Sequence, residues 1–364
     1  MKFATRAAIA ISLLLLSTTL AADKPVYVEA WGDKPDDWYR SDEGRRVIDN
    51  IISWQNPNGG WWKQYNTLEP RPADAKPKDG ALAPKSDTDI AWSQNSTFDN
   101  GATFNELRML ARAHRVTDRA DAAEAFARGI RFLLESQYPN GGWPQRYPPP
   151  ENYGKHITYN DGAMAGVMKV LRDAASGKGD YAFVDPDTRA RCQQAFDRGV
   201  DCILKTQVVV HGTPTVWCQQ HDEITLAPTS ARTFEPAALC STESVDLVLL
   251  LMDLPNPDEN VRRAIESAVA WFEKSQIHGK RYDRIPDPSV ERGIRRELVD
   301  DPTAPPLWAR LYDIATNRPI VVDRDGSIHD TPDQLSVERR NGYAWYSTAP
   351  AKVFKAYEKW KSRQ

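Results

Sequence analysis

The stretch FARGIRFLLESQYPNGGW, residues 126–143, decides the fold, because it joins a helical pattern directly to a turn. Its apolar residues recur at the spacing of one helix face, and they are Phe126, Ile130, Leu133 and Leu134. The helix is predicted to end at Gln137, where a Pro-Asn-Gly-Gly turn leads to Trp143. A turn of this kind, with a tryptophan behind it, predicts a sharp reversal of the chain into a second helix.

The same arrangement recurs along the chain. QNPNGGW at 55–61 is a close copy, whereas QVVVHGTPTVW at 207–217 and QIHGKRY at 276–282 are degenerate copies. Each copy follows an amphipathic segment that is predicted to end in a glutamine, and these are Gln55, Gln137, Gln207 and Gln276. The glutamines are 82, 70 and 69 residues apart, so the repeat predicts fold more directly than it predicts function.

A second set of helical patterns lies between the copies. The apolar residues of the first two are Phe104, Leu107 and Leu110, then Met164, Val167, Met168 and Leu171. The third pattern, at 247–252, is apolar all round, which is typical of a buried helix. Two helices per period predict helical hairpins packed side by side. We therefore predict an all-α fold, an (α/α) toroid with a loop-rich groove at one mouth and few strands, of which RPIVVD at 318–323 is the clearest.

The N-terminal segment has the pattern of a cleaved signal peptide. Lys2 and Arg6 precede an apolar run at 7–16, and small residues follow it. This run is too short to span a bilayer. The pattern predicts a signal peptide at 1–22 and a single catalytic domain at 23–364, secreted or periplasmic and monomeric.

Charge and aromatic content limit the partners. Removing Lys2 and Arg6 with the leader brings the formal net charge from -3 to -5, which argues against a nucleic-acid or membrane binder. Twelve tryptophans and thirteen tyrosines suit either core packing or stacking on sugar rings.

The four cysteines fit an oxidising compartment and have no metal-ligand spacing. Cys192 and Cys202 are about 15 Å apart along one predicted helix, too far to pair. Cys218 and Cys240 flank one long loop, so they are the better candidates for a disulfide.

Four segments, taken together, resemble the pectate lyases of polysaccharide lyase family ten. They are STFDNGATFNELRMLARAH at 96–114, YNDGAMAGVMKVL at 159–171, VWCQQHDEITLAPTSARTFEPAALCSTES at 216–244 and APPLWARLYDIATNRPIVVDRDG at 304–326. The resemblance implies an (α/α) toroid whose groove cleaves polygalacturonate by β-elimination with the help of Ca²⁺.

The resemblance also implies which residues hold the metal. DNGA at 99–102 and NDGA at 160–163 each precede a predicted inner helix. From spacing alone, Asp and Asn here would be read as helix N-caps. The family's metal-binding aspartates fall on Asp99 and Asp161, whose carboxylates suit calcium. Asn100 is a further candidate for the substrate site, and Asn160 a weaker one.

Arg232, in PTSARTFEP, matches the catalytic arginine of the family. The pattern alone would predict an ion pair with Glu235. A guanidinium has a pKa above about 12, so it can act as a base only if nearby cations and desolvation favour its neutral form. We therefore expect activity to rise into alkaline pH.

Two more arginines match the family's substrate-binding positions. Arg310 and Arg324 have planar forks that suit successive uronate carboxylates. The sequence around Arg324 is DRDG, which by itself predicts a turn with local pairing to the flanking aspartates. Tyr343 and Trp345 suit stacking on a sugar or, more simply, packing under the last helix.

Three alternatives remain at this level. The glutamine and tryptophan repeat also resembles that of terpene and squalene-type cyclases, although the expected cluster of aspartates is missing. A glycoside hydrolase on the same scaffold would draw its two carboxylic acids from Asp99, Asp161 and Glu243. A non-catalytic exported protein that binds pectic chains would need only arginines and aromatic residues.

Overall fold

The computed structural model describes residues 24–73, 95–290 and 293–363, so the predicted leader at 1–22 lies outside the described residues. Most of the regular structure is helical. The α-helices are α1 Asp36–Arg40, α2 Asp42–Ser53, α3 Phe104–Thr117, α4 Ala120–Glu135, α5 Ala163–Ser176, α6 Pro186–Thr206, α7 Ser241–Met252, α8 Glu259–Lys274, α9 Val337–Gly342 and α10 Ala351–Lys361. None of these helices is both long enough and apolar enough to cross a membrane.

The helices pack in two rows. Helices α2, α4, α6 and α8 contact one another in order, and α3, α5, α7 and α10 do the same in a second row. Contacts between α3 and α4, α5 and α6, and α7 and α8 join the two rows. The predicted alternation of amphipathic outer helices with more enclosed inner helices is confirmed, and α7, the helix that is apolar all round, is buried between its neighbours.

The repeated tryptophans fix the ends of the outer helices. Each of these helices ends one or two residues before its glutamine. Four indole N–H groups donate to a carbonyl oxygen in the last turn, where intrahelical partners run out. The pairs are Trp61 to Ile51 (2.8 Å), Trp143 to Leu133 (2.8 Å), Trp217 to Ile203 (2.7 Å) and Trp308 to Phe272 (2.7 Å).

The glutamines join neighbouring outer helices. In the first three copies the side-chain Nε2 donates to a carbonyl of its own turn and to another in the next outer helix. The acceptors are Gly59 and Ala125 for Gln55, Gly141 and Ala195 for Gln137, and Thr215 and Ala264 for Gln207. The repeat therefore stabilises the packing of neighbouring outer helices.

The fourth copy contains an insertion that the sequence pattern concealed. Its tryptophan is Trp308, because a β-hairpin separates it from Gln276. Ile277 and Leu307 close the base of the insertion with two backbone hydrogen bonds of 2.8 and 3.1 Å. Val208 and Val216 hold the same positions in the third copy, without a long insertion.

Short 3₁₀ turns and fourteen strands complete the regular structure of the described residues. The strands are β1 Ser96–Thr97, β2 Arg146–Tyr147, β3 Ile157–Thr158, β4 Val209–Val210, β5 Thr213–Pro214, β6 Gln220–His221, β7 Leu239–Cys240, β8 Lys280–Pro286, β9 Ile294–Asp300, β10 Trp308–Ala309, β11 Leu311–Tyr312, β12 Pro319–Val322, β13 Ile328–His329 and β14 Tyr346–Ser347. All pair antiparallel, as β1–β2, β3–β6, β4–β5, β8–β9, β10–β14 and the sheet β13–β12–β11–β7. The strand predicted at 318–323 is β12.

The expected disulfide between Cys218 and Cys240 is not formed. All four cysteines are buried thiols. The Cys218 Sγ donates to the Thr229 carbonyl and the Cys240 Sγ to the Ala238 carbonyl, each at 3.6 Å. The two thiols also form a hydrogen bond with each other, so the predicted pair are neighbours in the fold although no disulfide joins them.

Candidate active site

A polar pocket of about 290 Å³ lies where the segments before the inner helices meet. Five of the candidate residues from the sequence line it: Asp99, Asn100, Asn160, Asp161 and Arg232. Lys63 and Gln219 also line it, and neither was predicted. The short 3₁₀ turns Asp99–Gly101 and Asn160–Gly162, which lead into α3 and α5, contact each other directly. Residues 61 positions apart in equivalent turns therefore share one pocket.

The two turns are backbone copies of each other with the acidic residue shifted by one place. Asn100 has φ 50° and Asp161 has φ 51°, both in the left-handed region that non-glycine residues rarely occupy. In backbone terms Asp99 corresponds to Asn160, and Asn100 to Asp161. No side-chain capping bond is made at either turn or at the following helix. The N-cap interpretation of these residues is therefore wrong.

The carboxyl group of Asp99 is only partly satisfied. Asp99 is 8% exposed, and its Oδ2 forms a close ion pair with the Lys63 ammonium group. Its Oδ1 is buried without a hydrogen-bond partner in the part of the chain that the structure describes. A buried carboxylate oxygen without a donor is unfavourable unless a ligand completes it.

Asp161 lies beside Asp99 and is affected by its charge. The Asp161 residue is exposed by surface area, yet many protein atoms surround its carboxyl group. Their desolvating effect, together with the negative charge of Asp99, raises the pKa of Asp161 to about 6. Two carboxyl groups in repulsive contact form a place where a cation is favoured.

Arg232 is held by an acidic neighbour. Its Nε donates to Glu235 Oε2 at 2.7 Å, its Nη2 forms a second close bond to Oε1, and the Phe234 ring lies 4.7 Å from the guanidinium carbon. The side chain of Arg232 is 46% exposed, whereas that of Glu235 is 5% exposed. Hydrogen bonding to Glu235 raises the pKa of Arg232 above its ordinary value. Partial burial acts in the opposite direction on the pKa of Arg232, but hydrogen bonding to Glu235 outweighs it, and the ion pair that the local pattern predicts is present.

Arg310 is adjacent to the pocket, but it is engaged within the protein. Its guanidinium pairs closely with buried Glu243 and donates to Asn160 Oδ1 at 3.0 Å. Tyr343 packs against it, with 4.5 Å between the guanidinium carbon and the ring centroid. Burial is the largest single influence and would lower the pKa of Arg310, but the combined interactions with Glu243, Tyr343 and Asp161 outweigh it and raise the pKa. Arg310 is therefore a fixed positive charge behind Asn160.

Arg324 lies farther out and shares an aromatic platform with Arg232. Its guanidinium is 4.3 Å from the Phe234 ring centroid and pairs with exposed Glu338 at 2.8 Å. The predicted turn is present, since the Arg324 N–H donates to Asp323 Oδ1 at 2.7 Å. The side chain, however, pairs with Glu338 and not with the flanking aspartates.

Sequence reasoning missed three residues here. Arg339, 4.7 Å from the same Phe234 ring, was not considered, and Trp345 beneath it is fully buried, as the packing interpretation expected. Lys63 directly follows the Gly-Gly-Trp-Trp turn, so its position in the repeat was a signal that could have placed it at the pocket. Gln219 lies inside the segment at 216–244 that carries part of the family resemblance, but no local pattern distinguishes it there.

A second acidic group, outside the pocket lining, has few oxygen atoms left to bind a metal ion. The ligand atoms of His156, Asp222 and Glu223 are within 4.8 Å of one another. Glu223 already pairs with His156 at 2.8 Å and with Lys155 at 3.3 Å. Asp222 accepts three hydrogen bonds from Ile224 and Thr225. This cluster is an internally paired loop junction and differs from the predicted metal site.

Paired carboxylates facing arginines on a helical scaffold are typical of an enzyme that acts on an anionic polymer. The family model described as pectic acid lyase matches residues 55–354. The chain therefore belongs to the pectic acid lyase family, and it is an enzyme of the polysaccharide lyase class.

Solved structures agree with this assignment. The chain is 30% identical to the family 10 polysaccharide lyase from Cellvibrio cellulosa, with a TM-score of 0.74, covering 91% of this chain and 95% of the other. It is 29% identical to an aspartate-to-alanine mutant of a family 10 lyase from the same organism in complex with trigalacturonic acid, with a TM-score of 0.74 and coverages of 92% and 99%. The search of curated proteins gave no significant match.

The family assignment decides among the alternatives left open by the sequence. A polysaccharide lyase is neither a polyene cyclase nor a non-catalytic binding protein. The hydrolase alternative also loses Glu243, whose carboxylate pairs with Arg310 away from the pocket lining.

Proposed function

We propose that this enzyme cleaves α-1,4-polygalacturonate by calcium-assisted β-elimination, with Arg232 as the base. The observation that carries the proposal is that Asp99, Asp161 and Arg232 line one pocket in a member of the pectic acid lyase family. The relative in complex with trigalacturonic acid supports the substrate class. We further propose that the two rows of helices curve into a toroid, and that residues 23–364 act as one monomeric domain, secreted or periplasmic after removal of residues 1–22.

The pocket residues fit a calcium ion. Asp99 Oδ1 is buried without a donor, and Asp161 is raised in pKa by its acidic neighbour. Both are hard oxygen donors of the kind that calcium binds. Lys63 occupies the other oxygen of Asp99, so it acts as an internal cation that calcium would displace. When bound, calcium would neutralise a substrate carboxylate and make the adjacent C5 hydrogen more acidic.

The elimination needs one proton acceptor. Arg232 takes the C5 proton, the electrons of the C5–H bond form the C4–C5 double bond, and the glycosidic oxygen departs from C4 with its bonding electrons. That oxygen gains a proton from water. Glu235 favours the charged guanidinium of Arg232 in the free enzyme, so a proton must leave Arg232 before the step. The proposal therefore predicts activity that rises into alkaline pH.

The remaining arginines would hold the chain in two different ways. Arg324 and Glu338 are both largely exposed, so exchanging this partner for a uronate carboxylate costs little. Arg310 is buried with Glu243 and acts as a fixed positive charge behind Asn160. Arg324 is thus the better direct carboxylate ligand, and Arg310 supplies local attraction for an anionic chain. Asn100, exposed at the pocket, is placed to meet a sugar hydroxyl.

The test is an assay for the unsaturated product. Protein and polygalacturonate are mixed at about pH 9 with calcium or with a chelator, and ultraviolet absorbance of the C4–C5 double bond is followed. We expect absorbance only with calcium, and a loss of roughly 100-fold or more in Arg232→Ala and Asp99→Ala. Asp330→Asn, in an exposed ion pair with Arg318, is the control and should retain activity. New reducing ends without absorbance would instead indicate hydrolysis and reject the proposal.

A further inference from the structure

Gln219 stands out as a buried side chain with nothing to bind. The residue is 1% exposed and lines the pocket. Its backbone carbonyl accepts from the N–H groups of Tyr159 (2.9 Å) and Asn160 (3.1 Å), which fixes it beside the turn that carries Asp161. Neither Nε2 nor Oε1 of its side chain has a hydrogen-bond partner among the described residues. The whole amide is therefore unsatisfied at a fixed place in the pocket wall.

The chain contains a direct contrast to this glutamine. The Gln207 amide donates to Thr215 and Ala264 at 2.9 Å each and joins two outer helices. An amide of that kind stabilises the folded protein. A buried amide without partners destabilises it, and native proteins retain such a group when it serves a ligand. The position of Gln219 points to ligand binding as its role.

The chemistry of the amide indicates which group of a uronate Gln219 would bind. A uronate carboxylate needs cations, and Lys63 and Arg232 already line the pocket. A neutral amide has both donors and an acceptor, and a sugar hydroxyl also donates and accepts. We propose that Gln219 binds a ring hydroxyl of the uronate unit held in the pocket, an inference that rests on the proposed function.

The proposal makes Gln219 a determinant of specificity. An acyl ester on the bound hydroxyl removes its donor and adds bulk, which would leave the buried amide unpaired. Oligogalacturonides acetylated on ring hydroxyls should therefore bind less tightly than unmodified ones. Gln219→Ala removes the amide and opens space, so this difference should shrink in that variant.

The experiment separates binding from stability. Trigalacturonic acid binding is measured by calorimetry in calcium, with the Arg232→Ala protein as parent so that turnover does not interfere. Adding Gln219→Leu should raise Kd about tenfold, the effect of one lost hydrogen-bonding partner, while the melting temperature stays the same or rises. Gln207→Leu is the matched control, and it should lower the melting temperature while leaving Kd unchanged.

An amide oxygen could also coordinate the metal ion, and measuring calcium binding distinguishes this role from binding of a sugar hydroxyl. Under the proposal, calorimetry with calcium alone should give the same affinity for the parent and for Gln219→Leu. If Gln219→Leu weakens calcium binding and Gln219→Glu restores it, Gln219 is a metal ligand and the proposal is wrong. Unchanged trigalacturonic acid affinity in Gln219→Leu also overturns it, whereas a parent that does not bind trigalacturonic acid at all overturns the proposed function as well.

Discussion

At the scale of single residues, the ion pair between Arg232 and Glu235 poses the central chemical problem. A base must be neutral, yet Glu235 is bonded to both Nε and Nη2 of the guanidinium and stabilises its charge. Glu235 is buried, so it has few other ways to be solvated. The carboxylate therefore positions Arg232 while raising the pH at which it can lose a proton.

Replacing Glu235 with glutamine should separate these two effects. The amide of Glu235→Gln can still accept a hydrogen bond from Arg232, but the negative charge that raises the pKa of Arg232 is gone. We expect the rise of kcat with pH to move about 1 to 2 pH units lower. The measurement is kcat for polygalacturonate across the alkaline range. Glu338→Gln, which removes the partner of Arg324, is the control and should leave the profile in place, and a profile unmoved in Glu235→Gln would argue against Arg232 as the base.

Lys63 gives a second prediction at this scale. Because its ammonium group pairs with Asp99, it competes with any metal ion for that carboxylate. Lys63→Met should therefore bind calcium several-fold more tightly in calorimetry. Its KM for polygalacturonate should rise, because a cation near the substrate has been lost. Lys352→Met, on an exposed position of α10, provides the comparison; equal calcium affinities would show that Lys63 does not compete at Asp99.

At the scale of elements, the helices could be predicted and the insertion could not. Apolar residues at helical spacing, followed by Gln and a Gly-Gly turn, predicted the C-terminal ends of α2 and α4 to within two residues. The sequence pattern places the fourth copy at 276–282, but the tryptophan that completes it is Trp308. Sequence spacing cannot reveal that a hairpin intervenes, since the base of the hairpin is closed by backbone hydrogen bonds that any residues can make.

The inserted hairpin has a supporting role that can be tested. Strand β9 holds the end of α9 through Asn341, which accepts from the Arg296 N–H and donates to the Ile294 carbonyl, both at 2.8 Å. Arg296 also donates to the Tyr343 carbonyl at 3.1 Å, and Tyr343 packs on Arg310. The hairpin thus supports the segment of Asn341 and Tyr343, which packs against Arg310 beside the pocket.

Replacing residues 278–306 with the seven-residue connection at 209–215 should keep the fold, because the residue after the glutamine donates to the residue before the tryptophan in both copies, Ile277 to Leu307 and Val208 to Val216. We expect KM for polygalacturonate to rise about three- to tenfold, with a smaller change in kcat, as the bracing bonds are lost. Asn341→Ala should reproduce part of the rise in KM. A shortened protein with an unchanged KM would show that the hairpin plays no part in binding.

At the scale of the whole molecule, the sequence indicated which residues meet but not how each is paired. Because the segments before inner helices lie at one end of a row of hairpins, Asp99 and Asp161 could be placed together. The charged partners come from other segments: Lys63, which pairs with Asp99, follows the first turn, and Glu243, which pairs with Arg310, belongs to α7. Such pairings depend on packing across the two rows, which no local pattern encodes.

The two rows also bury a carboxyl group that no predicted function uses. Glu106 on α3 is 1% exposed, and it accepts a hydrogen bond from the Tyr65 hydroxyl at 3.1 Å. Burial, reinforced by the nearby charge of Glu29, raises its pKa to about 8. An unfolded chain would release this proton near pH 4.3, so between these two values the folded protein holds a proton that the unfolded protein lacks.

The free energy of unfolding should therefore fall as pH rises from about 4.3 to about 8, and this contribution should level off above that range. Glu106→Gln keeps a polar group of the same shape and cannot ionise, so its unfolding free energy should fall less over the range, by at least about 1.4 kcal/mol. Urea unfolding at about pH 5, 7 and 9 measures the difference. Glu358→Gln, exposed on α10, should follow the wild type. If Glu106→Gln also follows the wild type, Glu106 is ionised over the whole range, and its burial does not make the stability depend on pH.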